Sequence, residues 1–224
     1  KLPSNILKNM YKVINLQRRL VSFNCVKNAI IIDHLIKYRF DFNKLTVCII
    51  GDGNGFLGIL LKSLFPDIKI VQINLGKILI YDFLFTSLSD IFGSMEIIEN
   101  NNKEKDIFSD CVFIPAEDVF DIEIDHIDFF FNVASMQEMN TDTIEKYFNF
   151  MRKQKTNNTF FYCCNRVSKK LFDNSYSNFD EYNWLNSDSI IFDEICEWYN
   201  KAPISRPPFA KKFDGISKHK LIKF

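Results

Sequence analysis

Five short, largely apolar runs recur along the chain with helix-patterned segments between them: TVCII (46–50), IKIVQI (68–73), CVFI (111–114), IDFFFNVAS (127–135) and TFFYCC (159–164). Their β-branched and aromatic content suits strands buried on both faces. After the first run, Phe56, Leu57, Ile59, Leu60 and Leu64 follow a helical stripe that Pro66-Asp67 ends, and 77–89 and 141–153 also read as helices. Strand–helix–strand alternation with short connections predicts a mostly parallel sheet covered on both faces, an α/β doubly wound domain.

Ahead of the first strand, Ile6, Leu7, Met10, Val13, Ile14 and Leu16 form one helical stripe, and VKNAIIIDHLIKYRF carries a second. The expected division is an N-terminal helical extension over 1–43 and the α/β domain over 44–224. NNNKEKD (100–106) reads as a surface loop, and 174–189 gives no clean period. IIFDEICEWYN (190–200) and HKLIKF (219–224) are expected as the last two of seven strands, antiparallel at one edge. The Pro- and Lys-rich KAPISRPPFAKKFDG between them is expected as a loop.

Composition narrows the function classes. Lys plus Arg equals Asp plus Glu at 28 each, so no bulk charge calls for a nucleic-acid partner. The six cysteines lack C-x-x-C spacing and sit mostly in apolar runs, as small hydrophobes do in a reducing compartment. With three histidines and none beside a cysteine pair, no metal is expected. No apolar run approaches the roughly 18 residues of a membrane span, and no signal-peptide core is present, so the cytoplasm is the expected location.

The chemistry concentrates in VCIIGDGNGFLGILLKSLFP (47–66). Glycines at 51, 53 and 55 allow a tight strand-to-helix turn and let a ligand lie against the main chain. No Gly-Lys-Ser/Thr follows, which excludes a Walker loop. Gly53-x-Gly55-x-x-Gly58 formally fits a dinucleotide fingerprint, but Asn74 ends the second strand where NAD binders carry an acid for the ribose. An S-adenosylmethionine loop is a third reading, and a glycine-rich turn without ligand a fourth. Ligands of such sheets lie outside the carboxyl ends of the strands. That rule gathers Gly51–Gly55, Asn74, Pro115–Asp118 and Ala134–Glu138 around one crevice.

The motifs IIGDGNGFLGILLK, INLGKILIYDFLF, DFFFNVASMQEM with IEKYFNFM, and FFYCCNR lie in order between about 47 and 166. Through them the chain resembles the Rossmann-like S-adenosylmethionine-dependent methyltransferases, more narrowly the bacterial proteins described as sugar O-methyltransferases. The resemblance implies that Gly51, Asp52, Gly53, Asn54 and Gly55 wrap the methionine and ribose of S-adenosylmethionine. It places Asn74 and Leu75 beside the ribose and adenine, Glu117 or Asp118 at the adenine edge, and Asn132, Ala134 and Ser135 near the sulfonium. Gln137, Asn165 and Arg166 would face a small-molecule or glycan substrate. Ile49 and Asn74 stand where many members of that family carry acids, and Asp52 is a candidate replacement for the first.

Methyl transfer to oxygen needs an aligned hydroxyl and a proton acceptor. Glu138 is the first candidate base, with helix capping or a lysine partner as the equal alternative. His34, inside an apolar helical run, would act if that helix closes over the cleft. His126 and His219 read as structural. Arg166 can fork onto a carboxylate or phosphate, and Tyr182 and Trp184 either stack on a sugar or belong to the core. Two rival functions stay open: a methyltransferase fold kept as a binding module, and an NAD-dependent oxidoreductase, which would lack a Tyr-x-x-x-Lys pair here.

Overall fold

The apolar runs become the strands of one sheet, lengthened where backbone pairing continues past the apolar residues. The computed structural model describes residues 2–98, 104–105, 107–124, 126–204, 206–212 and 215–224. The strands are β1 (Thr46–Ile50), β2 (Lys69–Asn74), β3 (Met95–Ile97), β4 (Cys111–Pro115), β5 (Ile127–Val133), β6 (Lys155–Arg166), β7 (Ser189–Ile195) and β8 (Ser217–Lys223). They lie in the order β7-β8-β6-β5-β1-β2-β4-β3. Pairing is parallel from β3 through β6, while β8 runs antiparallel between β6 and β7.

The sheet thus has eight strands where seven are expected. The added one, Met95–Ile97, is a three-residue edge strand beside β4, too short to leave a periodic signature. The expected loop at 201–215 instead contains an antiparallel hairpin, Lys201–Pro203 with Ala210–Lys212. In the segment without period, Tyr176–Asn178 pairs with Ser168–Lys170. Of the loop expected at 100–106, only Glu104–Lys105 lies within the described residues, paired with Glu123–Ile124.

The helices are α1 (Ser4–Leu16), α2 (Phe23–Lys37), α3 (Phe56–Leu64), α4 (Gly76–Ser89) and α5 (Thr141–Gln154). Ser22 caps α2 by accepting from the Cys25 amide, and Asn140 caps α5 by accepting from Thr143. Alternation along each strand sends side chains to two cores. On one face Val47, Ile49, Phe129, Phe131 and Tyr162 pack with Met10 and Val13 of α1, Ile31 and Leu35 of α2, and Leu60 of α3. On the other, Cys48, Ile50, Phe130 and Phe161 pack with Ile144, Phe148 and Met151 of α5. The N-terminal helices therefore share one apolar cluster with β1 and α3.

Sheet-type hydrogen bonds continue into the loops at the carboxyl ends. Gly51 donates to the Ile73 carbonyl (2.8 Å), Ala116 to Asn74 (2.8 Å) and Ala134 to Cys164 (2.8 Å). The turns after β1, β4 and β5 are held level by this ladder. They form the rim on which the site is built.

Candidate active site

A crevice of about 580 Å³ opens at that rim between the loops after β1, β2, β4 and β5. Gly51, Gly53, Asn74, Leu75, Glu117, Ala134, Ser135 and Glu138 line it, as the strand-end rule expects, with an apolar floor that includes Ile50, Ile73 and Phe120. Gly51 sits at φ +80°, and a Cβ there would lie 2.4 Å from Ser135 Oγ, so the first and fifth strand loops touch only because residue 51 has no side chain. Gly53, at φ +83°, is the opposite case: no heavy atom lies within 4 Å of where its Cβ would be. Its main chain is bare toward the open space.

The electrostatics of the glycine loop are set by two carboxylates. Asp52 accepts from the amides of Leu57 (3.2 Å) and Gly58 (2.9 Å), capping the N-terminus of α3. Asp82, fully buried on α4, accepts from the Gly55 amide (2.9 Å) and from Asn74 Nδ2 (2.8 Å). Burial raises the pKa of Asp52, and burial together with the neighbouring Asp52 pushes Asp82 up to about 7. The amide groups that usually receive a phosphate at such a helix start are already occupied by carboxylate oxygens. Asn74 is committed as well, since its Oδ1 accepts from the Leu75 amide (3.0 Å). Asp82 thus holds the Asn74 side chain from beneath. A lone aspartate in the apolar helical run IYDFLF was its only sequence signal.

The loop after β5 is clamped from behind. Ala134 adopts φ +60°, a left-handed conformation unusual for alanine. Ser135 Oγ donates to the Ile50 carbonyl (2.8 Å), and Asn132 Nδ2 donates to the same carbonyl (3.0 Å). Asn165 Nδ2 donates to Asn132 Oδ1 (2.8 Å), while Asn165 Oδ1 accepts from the Gln137 amide (3.0 Å). Asn132 and Asn165 are both buried, so neither faces a ligand. They hold in place the 134–138 loop that walls the crevice.

A second hollow of about 530 Å³ adjoins the first, sharing Ala134 and Glu138 with it. Gln137, Lys27, Arg166, Lys169 and Lys201 are among its lining residues. Glu138, half exposed, is ion-paired with Lys169 at this boundary. Gln137 Oε1 accepts from the Arg166 amide (2.8 Å), which fixes the two relative to each other. A third, smaller hollow of about 110 Å³ lies behind the glycine loop, lined by Asp52, Asn54, Arg19, Asn28 and Tyr199 among others. Ala134 borders all three. Gln17 of the N-terminal helical region reaches this loop, donating to the Asn54 carbonyl (2.9 Å). The contributions of Gln17, Arg19, Lys27 and Tyr199 had no motif to announce them.

Several expected residues lie elsewhere. Gly55 is buried under α4, where a Cβ would lie 2.7 Å from Thr86 Oγ1. Asp118 does not border the crevice; its amide donates to the Pro115 carbonyl (3.0 Å) in the turn after β4. Tyr182 and Trp184 pack with Phe148 and Phe179 in the α5-side core, not beside the cationic hollow. His126 precedes β5 at the amino end of the sheet and contacts Asp128 Oδ1 (2.7 Å). His34 does not close over the cleft. It packs against Phe192, Trp198 and His219 near β7 and β8, with β6 and β5 between them and β1. Burial lowers the pKa of both His34 and His219, the latter to about 4.

No protein-family model matches the sequence, and no curated protein matches it. Among solved structures, a Thermoplasma acidophilum protein superposes with TM-score 0.61 at 10% identity, over 99% of this chain and 98% of that one. A Galdieria sulphuraria protein, provisionally assigned as a sarcosine dimethylglycine methyltransferase, gives TM-score 0.61 at 8% identity, over 88% of this chain and 84% of its own. The mitomycin 7-O-methyltransferase MmcR gives 0.51 at 12% identity; 83% of this chain aligns, against 51% of that enzyme. The fold is the one these methyltransferases share. At such identities the likeness is one of architecture, and among the described residues no helix is long and apolar enough to cross a membrane.

Proposed function

We propose that the protein is an S-adenosylmethionine-dependent O-methyltransferase whose acceptor carries negative charge. The observation that carries this reading is the pair of carboxylates, Asp52 and Asp82, already seated on the amides of the glycine loop and the α3 N-terminus. With these amides already donating to carboxylate oxygens, fewer remain for a pyrophosphate, which argues against the NAD reading. S-adenosylmethionine, when bound, supplies an electrophilic methyl carbon on a sulfonium centre.

The chain's own residues divide the remaining work. Gly51 and Gly53 offer bare main chain to the methionine part, Asn54 borders the hollow behind the loop, and Leu75 and Glu117 flank the place for the ribose and adenine. Ala134 and Ser135 form the wall nearest the junction with the cationic hollow. Gln137, Arg166, Lys169 and Lys201 hold the acceptor, and their charge fits a carboxylate or phosphate on it. Glu138, at the boundary, takes the hydroxyl proton. A sugar hydroxyl of a glycan or of its nucleotide-linked precursor, expected from the motif resemblance, meets that requirement when the precursor bears phosphate.

A binding module without turnover is the second reading, favoured by the ion pair that ties Glu138 to Lys169. Calorimetric titration with S-adenosylmethionine, S-adenosylhomocysteine and NADH tests the cofactor assignment. Heat from the first two and none from NADH is expected. Silence at millimolar S-adenosylhomocysteine would overturn it.

A further inference from the structure

We propose that His34, His219 and Glu194 form a binding site for one first-row divalent cation of the zinc class, with two imidazole Nε2 atoms and one carboxylate oxygen as ligands. The three donor atoms all lie within 4.8 Å of one another. Glu194 Oε1 is 3.2 Å from His219 Nε2 and 3.6 Å from His34 Nε2. Zinc bound tetrahedrally to nitrogen and oxygen at about 2.0–2.2 Å sets its ligand atoms roughly 3.3–3.6 Å apart. The two carboxylate–imidazole separations, 3.2 and 3.6 Å, lie close to that spacing, and the two imidazole nitrogens are within 4.8 Å of each other.

Both Nε2 atoms are buried, and neither makes a hydrogen bond among the described residues. Such atoms are rare in folded proteins and point to a partner. His219 is wholly buried, and its other ring nitrogen, Nδ1, lies 3.2 Å from the Tyr162 hydroxyl. This is how ligating histidines are held: the far nitrogen donates its N–H, here to the Tyr162 hydroxyl oxygen, which fixes the ring and leaves the Nε2 lone pair for the ion. Phe192 and Trp198 pack against both imidazole rings, and Tyr38 packs against that of His34. Glu194 is half exposed and leaves the outer side open, so a fourth ligand position is available to water.

The ligands come from α2, β7 and β8. A cation there fastens the C-terminal turn of α2 to the edge of the sheet. The other end of α2 supplies Cys25, Asn28 and Lys27 to the hollows at the rim. The ion acts as a staple that holds this helix in place, and its presence does not depend on the methyltransferase reading.

Chelator-treated protein titrated with Zn²⁺ by calorimetry, and with Co²⁺ by visible absorption, tests the site. One equivalent bound, a d–d spectrum without a thiolate charge-transfer band, and a raised melting temperature with Zn²⁺ are expected. Glu194→Gln and His34→Gln, both at partly exposed positions, should weaken binding by about tenfold or more and abolish the melting shift. Their urea midpoints without metal should stay near that of the parent chain. Absence of heat at millimolar Zn²⁺, unchanged affinity in both variants, or a thiolate–cobalt band assigning the ion to cysteines would each overturn the proposal.

Discussion

Gly51 and Gly53 share a left-handed backbone but face opposite surroundings, and their alanine variants should separate folding from binding. Gly51→Ala combines a left-handed alanine with a collision against Ser135 and should destabilise by about 2–5 kcal/mol. Gly53→Ala meets nothing and should cost about 1–2 kcal/mol of stability in urea unfolding, yet weaken S-adenosylhomocysteine binding at least tenfold. Glu138→Gln should keep that affinity while lowering turnover by about 10²–10⁴-fold; unchanged turnover would remove Glu138 from the chemistry. Asp82 carries a pH signature. Between its ordinary carboxylate value of 3.8 and about 7, the folded chain holds a proton that the unfolded chain has released. Stability contributed by this group therefore falls as pH rises across that window and levels off above it. Relative to Asp82→Asn, the parent chain should lose stability between pH 5 and pH 8, and parallel pH profiles would contradict the assignment. The glycine loop was legible at this scale because backbone demand writes itself into residue type. That Asp52 also caps α3 is not legible there, because a sequence does not say where a carboxylate in a tight turn is aimed.

At the level of elements, strands and helices followed from periodicity almost throughout, since burial on both faces leaves a continuous apolar run and burial on one leaves a stripe. What escaped were short elements without an apolar signature, among them the three-residue strand Met95–Ile97, the hairpin joining 201–203 to 210–212 and the pairing of 168–170 with 176–178. Catalytic candidates fared less evenly for a related reason. Asn165 and Arg166 are adjacent at the end of β6, so alternation sends one side chain inward and the other toward the cationic hollow. Asn165→Ala should leave the Gln137 amide without its partner, at about 1–3 kcal/mol, while Asn132 Oδ1 keeps the Met136 amide. Because the slack falls on the Ala134–Glu138 loop, KM for the acceptor should rise more than the dissociation constant for S-adenosylhomocysteine. Equal changes in both would place the clamp's effect on the whole rim.

For the molecule as a whole, ligand binding at a rim assembled from four strand ends should register globally. S-adenosylhomocysteine at 100 times its dissociation constant adds about 2.7 kcal/mol to the folded state, which for a chain of this size raises the melting temperature by roughly 5–10 °C. A scan without such a shift would locate binding outside the cooperative unit. Long-range assembly is also where sequence reading stopped: His34 and His219 are 185 positions apart, and only the docking of α2 on β8 brings them together. The position of β8 has a temporal side. It runs antiparallel between β6 and β7, so β7 has no neighbour in the sheet until residues 217–223 have left the ribosome. Until then a nascent chain leaves one edge of β6 and both edges of β7 unpaired, a window in which those residues are open to mispairing.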